Sequence, residues 1–208
     1  MTDLQPLVAL TFNSLADLLA SAPDMSWDAP SLCENWQVRH VIAHVTMPAR
    51  LTPEQFATEM AVAGGDFTLL SNAVAARDAL LSVADHLEAL RSQLLHEWQP
   101  PGGSAADALS HAVIHSLDVT IALDQPSVAP KQAVVAVLDQ LTAVNGALFG
   151  LELTGVRLEA TDTNWRWGNG DTVRTDSSLL VALLSGRTLS DGRTLSDGRT
   201  LPRVNGHG

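Results

Sequence analysis

The chain has 208 residues, and 23 Asp plus Glu outweigh 12 Lys plus Arg to give a formal net charge of −11. An acidic chain of this kind lacks the basic footprint that nucleic acid or an anionic membrane surface requires. No basic segment precedes an apolar one and no run of about 18 apolar residues occurs, so export and membrane spanning are not expected and a cytoplasmic monomer or homodimer is.

Taken in chain order, Leu7, Leu10, Leu15, Leu18 and Leu19 predict a first helix ending near Ala22-Pro23. The single cysteine, Cys33, cannot form an internal disulfide. It reads as an ordinary buried or structural cysteine, with a reactive thiol as the alternative, because the only basic residue near it in sequence is Arg39, which has Glu34 as a sequence partner. A second helix is predicted from Trp36 to Ala49, with Asn35 as N-cap and Pro48 disturbing its last turn. Its apolar stripe is Val38, Val41, Ile42 and Val45; at about 100° per residue, His44 falls at the edge of that stripe and His40 further toward solvent. Thr52-Pro53-Glu54 starts a short third helix that Gly64-Gly65 ends. One long helix is expected from Ser71 to Trp98, stopped by Pro100-Pro101-Gly102-Gly103. His86 and His96 lie among its charged residues and read as surface histidines, as does His207 in the tail.

Ser104 or Asp107 starts the next helix, which ends before Pro126, and a further helix covers Lys131 to Phe149. Four long helices with a short accessory one suit a bundle, whose core is a usual place for a metal held by facing helices. After Gly150 the pattern changes to a strand over 151–160, a second short strand and a turn over Trp165 to Gly170, and a third strand over Asp171 to Arg174, then a short helix from Ser178 to Leu184. Trp165 and Trp167 read as packing for this small sheet, with Trp167 or Arg166 at the edge of a site as the alternative. The tail repeats Arg-Thr-Leu-Ser-Asp-Gly at 187–192 and 193–198. Two hexapeptides are too short for a solenoid, and their Asp-Gly steps suit a loop or a disordered tail.

The segment Asp107-Ala-Leu-Ser-His-Ala-Val-Ile-His-Ser-Leu-Asp118 carries the chemistry. His111 and His115 are four residues apart and share one helix face, with Asp107 and Asp118 on the same stripe of a helix that is otherwise apolar. That stripe is either the solvated side of an amphipathic helix or, in a buried helix, a polar set that a metal would satisfy. His44 is the better third ligand, with His40 the substitute if its helix is rotated. Three histidines leave an open coordination position, as catalytic zinc sites do. Asp118, one turn beyond His115, is either a carboxylate that fixes a ligand imidazole's tautomer or a helix-surface acid.

Three motifs occur in order: Ser31-Leu-Cys-Glu-Asn-Trp-Gln-Val-Arg-His-Val-Ile-Ala-His44, His111-Ala-Val-Ile-His-Ser-Leu-Asp118, and Trp165-Arg-Trp-Gly-Asn-Gly with Leu183-Leu-Ser-Gly-Arg187. From about Trp27 to Arg187 the chain resembles the mycothiol-dependent maleylpyruvate isomerase family. The resemblance implies a mainly α protein: a DinB-like, metal-binding four-helix bundle over 1–150, a small α/β appendage over 151–187, and the repeat-containing tail over 188–208. It also implies a divalent metal, usually zinc, on positions that carry over to His44, His111 and His115. Family isomerases have glutamate at the middle position where this chain has His111, a departure that resembles the three-histidine site of other DinB-like proteins.

Mycothiol as cosubstrate is implied by the resemblance alone, and no residue announces itself as a general base. The reading is a metal-dependent enzyme that activates a low-molecular-weight thiol, or water, for isomerisation or thiol transfer on a small electrophile. The alternatives are a non-catalytic, metal- or small-molecule-binding DinB-like stress protein, and a helical interaction module whose histidines are incidental.

Overall fold

A computed structural model describes residues 3–194. They form two compact units, one running to Pro130 and the other starting at Lys131. Among the described residues no helix is long and apolar enough to cross a membrane.

The first unit is helical. Helix α1, Gln5–Ser21, buries Val8, Phe12, Leu15, Ala16 and Leu19 along one stripe and ends where Ala22 turns extended before Pro23. A 3-10 turn, Asp24–Asp28, then drives Trp27 into the core at 1% exposure. Large side chains buried this fully contribute roughly 1.5–3 kcal/mol each. The second predicted helix is two: α2, Val38–Val45, and α3, Met47–Arg50. They part at Thr46, two residues before Pro48, which has no N–H for the helical ladder. Asn35 is not the N-cap. Gln37 is, and Asn35 instead takes a left-handed conformation at φ 63°, one that asparagine tolerates better than most residues. Helix α4, Pro53–Val62, starts as expected on the reciprocal Thr52 and Gln55 caps.

The long helix expected over 71–98 is three: α5, Phe67–Asp78; α6, Val83–Leu90; and α7, Gln93–Glu97. Asp66, Ser82 and Ser92 accept hydrogen bonds from the backbone N–H groups that follow them and so act as N-caps. A continuous helix would leave Ser82 and Ser92 in its interior, where their side chains compete for backbone bonds. Helix α8, Ala105–Thr120, is capped by Ser104, whose backbone N–H and hydroxyl both donate to Asp107 Oδ2 at 2.8 and 2.7 Å. Within this unit α8 packs on α1 and α2, and α2 packs on α5.

The second unit opens with α9, Lys131–Ala143, shorter than the predicted 131–149. Asn145 and Gly146 take φ 52° and 81° and end it, and a 3-10 turn, Ala147–Phe149, follows. Strands β1 (Val156–Ala160), β2 (Arg166–Gly168) and β3 (Asp171–Thr175) form a sheet in the order β2-β1-β3. β2 is antiparallel and β3 parallel to β1, so the link from β2 to β3 crosses one end of β1. That crossing needs glycine. A Cβ on Gly168 would lie 2.3 Å from the Val156 carbonyl oxygen, and one on Gly170 would lie 2.0 Å from that of Gly155.

Helix α10, Ser177–Leu184, is almost wholly buried and packs on α9. Trp165 Nε1 donates to Asp139 Oδ1 on α9 at 2.8 Å, in keeping with a packing role. The first copy of the repeat forms a turn, with Gly192 N–H donating to the Leu189 carbonyl at 2.8 Å. Most of the second copy, and His207, lie outside the described residues.

Candidate metal centre

Helix α8 is buried along its length from Ala108 to Thr120 except at His111 and His115, which are half-buried. The polar stripe therefore opens from a buried helix and is not the solvated flank of an amphipathic one. Across from it, α2 presents His44 at 6% exposure. The three ring centroids form a near-equilateral triangle, with separations of 5.2 Å (His44–His111), 4.8 Å (His44–His115) and 5.0 Å (His111–His115). His44 Nε2 and His111 Nε2 face each other at 3.3 Å, and one ring nitrogen from each of the three residues falls within 4.8 Å of the others.

Two of the rings are held from behind. His44 Nδ1 is hydrogen-bonded to Ser71 Oγ on α5 at 2.9 Å, and His115 Nδ1 donates to Asp118 Oδ2 at 2.9 Å. Each contact occupies the outer nitrogen and leaves Nε2 for the centre, the arrangement in which outer partners fix a ligand histidine's tautomer. His111 Nδ1 is buried with no hydrogen-bond partner among the described residues. Burial, then the neighbouring His115 and His44, push the His111 pKa well below the ordinary imidazole range. The ring is therefore kept neutral, the form that binds metal.

This donor set fits a divalent cation. Two nitrogens at 2.0–2.1 Å from a tetrahedral ion lie roughly 3.3–3.4 Å apart. The His44–His111 pair already stands at 3.3 Å. His40 does not join the cluster; its Nδ1 accepts from the Gln37 backbone N–H at 3.3 Å at the start of α2. Asp107 is engaged at the cap of α8, whereas Asp118 is 1% exposed and lies behind His115.

Three other residues differ from their sequence-based expectations. His86 is not a surface residue: it is 1% exposed and stacks on Trp27 with centroids 5.6 Å apart. The expected surface His96 is half-buried, its Nε2 donating to the Leu90 carbonyl at 2.9 Å. Arg39 pairs with Asp28 Oδ1 at 2.7 Å and not with Glu34, because the 3-10 turn brings Asp28 to α2.

The surroundings of the triad are not evident from the sequence pattern. Cys33 Sγ lies 3.0 Å from Asp118 Oδ2, and Trp36, Phe67 and Trp98 surround the histidines, at 5.2 and 6.5 Å from His44 and 5.3 Å from His111 respectively. The signal available was a tryptophan and a cysteine just ahead of the helix that carries His44. Phe67 opens α5, four residues before the helix expected from Ser71, and Trp98 is the C-cap residue of the short α7.

Compared with known proteins, residues 8–120 match the family described as the mycothiol maleylpyruvate isomerase N-terminal domain. No curated protein sequence matches. Among solved structures, a crystal structure of a histidine-to-alanine mutant of the mycothiol-dependent maleylpyruvate isomerase aligns with a TM-score of 0.55 and 17% identity, covering 93% of this chain and 98% of that one. A second crystal structure of the mycothiol-dependent maleylpyruvate isomerase aligns at 0.47, with the same identity and coverage. At this identity the likeness shows the fold alone: mainly helical, with a small C-terminal three-stranded sheet.

Proposed function

The chain belongs to the mycothiol maleylpyruvate isomerase family through its N-terminal domain, and from that premise we propose that it is a metal-dependent enzyme acting on a small electrophile with a low-molecular-weight thiol. The observation that carries the reading is the convergence of His44, His111 and His115, with two Nε2 atoms 3.3 Å apart and the outer nitrogens of His44 and His115 held by Ser71 and Asp118. His44, His111 and His115 hold a divalent ion, zinc by the character of the donors. When bound, such an ion supplies the positive charge that lets a thiol ionise near neutral pH.

The chain's own residues then have defined tasks. Asp118 orients His115, Ser71 orients His44, and neutral His111 adds no charge of its own. Half-buried Trp36 and Trp98, with the more exposed Phe67, border the centre with apolar rings that receive a small organic substrate. The family supports mycothiol as the thiol, and isomerisation or thiol transfer as the reaction. Use of a thiol from the cell's reduced pool supports a cytoplasmic location.

The test is elemental analysis of the purified chain together with turnover of maleylpyruvate and related unsaturated acids, with and without mycothiol and zinc. About one ion per chain and a rate that needs both components are expected. A metal-free chain that cannot be loaded with zinc would overturn the reading.

A further inference from the structure

Cys33, Asp118 and His115 form a second cluster of metal-ligating atoms beside the triad. Its distances are those of hydrogen bonds: 3.0 Å from Cys33 Sγ to Asp118 Oδ2 and 2.9 Å from His115 Nδ1 to the same oxygen, with Sγ and Nδ1 4.0 Å apart. A cation shared by these atoms would hold nitrogen and oxygen roughly 3.3 Å apart and sulfur about 3.5 Å from each. A Cys-His-Asp catalytic triad does not fit either. It needs the thiol and the carboxylate on opposite ring nitrogens, whereas here both approach Nδ1.

We propose that Cys33 is a positioning residue for the histidine centre: its thiol donates to Asp118 Oδ2 and keeps that carboxylate on His115 Nδ1, so that Nε2 of His115 stays turned toward His44 and His111. The proposal rests on the metal reading above, but its geometry is present without an ion. Asp118 is 1% exposed, so a carboxylate there requires more than one donor. The imidazole gives one and the thiol gives another.

The 31–37 segment is built to hold the thiol in place. Ser31 N–H and hydroxyl both donate to the Trp36 carbonyl, at 2.9 and 2.8 Å, and Trp36 N–H donates to the Cys33 carbonyl at 3.0 Å. Cys33 N–H donates to Ser31 Oγ at 3.1 Å, and Asn35 turns the chain at φ 63°. The segment is tied to the metal-bearing helix by Leu32 N–H, which donates to the Asp118 main-chain carbonyl at 3.1 Å. One tight loop thus sets Trp36 against His44 and Cys33 against Asp118.

The experiment compares the natural chain with Cys33→Ala, Cys33→Ser and Asp118→Ala. One readout is zinc release to a chelator from loaded protein; the other is the ring-nitrogen NMR signature of His115 in metal-free protein at a pH where imidazoles are neutral. Loss of an outer-layer partner costs about 10–100-fold in metal retention, so Cys33→Ala and Asp118→Ala should release zinc at least about 10-fold faster, while Cys33→Ser, which keeps a donor, stays within about 3-fold. In metal-free protein His115 should carry its proton on Nδ1 in the natural and Ser chains and populate both tautomers in the Ala chain.

Rescue by serine separates positioning from packing, since serine restores the donor and not the bulk of sulfur. Zinc release and tautomer unchanged in Cys33→Ala, beside a clear effect of Asp118→Ala, would overturn the proposal. If the natural chain takes no zinc, the metal reading fails, and the tautomer measurement alone decides the role of Cys33.

Discussion

His44 and His86 are both buried in the N-terminal unit, at 6% and 1% exposure, yet their ring nitrogens meet different company. His44 points at two other imidazoles and is held from behind by Ser71. His86, on α6, lies flat against Trp27, and neither of its nitrogens has a hydrogen-bond partner among the described residues. Burial, then its charged neighbours Arg50 and Arg39, drive its pKa down to about 4, against the opposing pull of Asp78 and Asp85. Asp78 is itself held ionised: burial works against it, and hydrogen bonds from Arg77 and Arg50 prevail. The His86 region is a cation-rich packing joint that holds a neutral ring, whereas the triad brings ring nitrogens of three histidines within 4.8 Å of one another. Burial of a histidine therefore does not mark a site; convergence of its nitrogens with others does.

The sharpest way to break that contrast is to remove one ring from each region. His115→Ala should abolish metal binding, with more than about 100-fold loss of affinity, and turnover should vanish while the helical content persists. His86→Ala should keep both metal and turnover but lose about 1–3 kcal/mol of stability, through a cavity beneath Trp27. Elemental analysis and denaturant titration of the two variants check this. Metal loss in His86→Ala with the fold intact would merge the two regions and end the distinction.

His111 is the next test, because its position carries glutamate in the isomerases that the chain resembles. His111→Glu should retain zinc, since a carboxylate oxygen replaces an imidazole nitrogen at a similar bond length, and His111→Leu should lose most of the affinity with two ligands left. Equal metal content in the two variants would show that His111 is a buried neighbour and not a donor.

How much of this contrast the sequence reveals follows from what periodicity can and cannot encode. The triad is legible because His111 and His115 are one turn apart and His44 sits at a definable angle on an amphipathic helix. His86 is not: the charged residues around it, Asp85 and Glu88, suggest a surface, but the helix carrying it is only Val83–Leu90 and turns its ring onto Trp27, 59 residues earlier in the chain. The break that creates this short helix depends on Ser82 accepting a cap bond, a choice that a serine in an otherwise helical run leaves open. Cys33 is hidden for a similar reason. Its partner Asp118 is 85 residues away, and only the docking of the 31–37 segment on α8 brings them together.

A smaller effect separates the two regions by pH. The folded pKa of His86 lies at about 4, below the ordinary 6.5, so protons bind the unfolded chain more readily. The stability that comes from a neutral His86 is fully present above about pH 6.5 and is lost as pH falls from there toward 4, by on the order of 2–3 kcal/mol. His86→Phe keeps a flat ring on Trp27 and cannot titrate. In metal-free protein its stability should fall less steeply than that of the natural chain across this window. Parallel curves for the two chains would mean that His86 is not the group responsible.

The smallest effect belongs to the ring that touches the triad without binding anything in it. Trp98 lies 5.3 Å from His111 at an interplanar angle of 57°, and its backbone carbonyl is tied independently by Gln5 Nε2 at 3.2 Å. Trp98→Ala therefore removes the indole while α7 stays docked on α1. If the indole serves as a substrate wall, an aromatic contact worth about 0.5–1.5 kcal/mol disappears, and KM should rise about 2–10-fold with kcat and metal content unchanged. If the indole instead braces His111, whose Nδ1 has no hydrogen bond to hold it, metal release should quicken and KM stay put. Each role has its own readout, KM for the substrate wall and metal release for the brace on His111, so one kinetic series with metal analysis assigns Trp98.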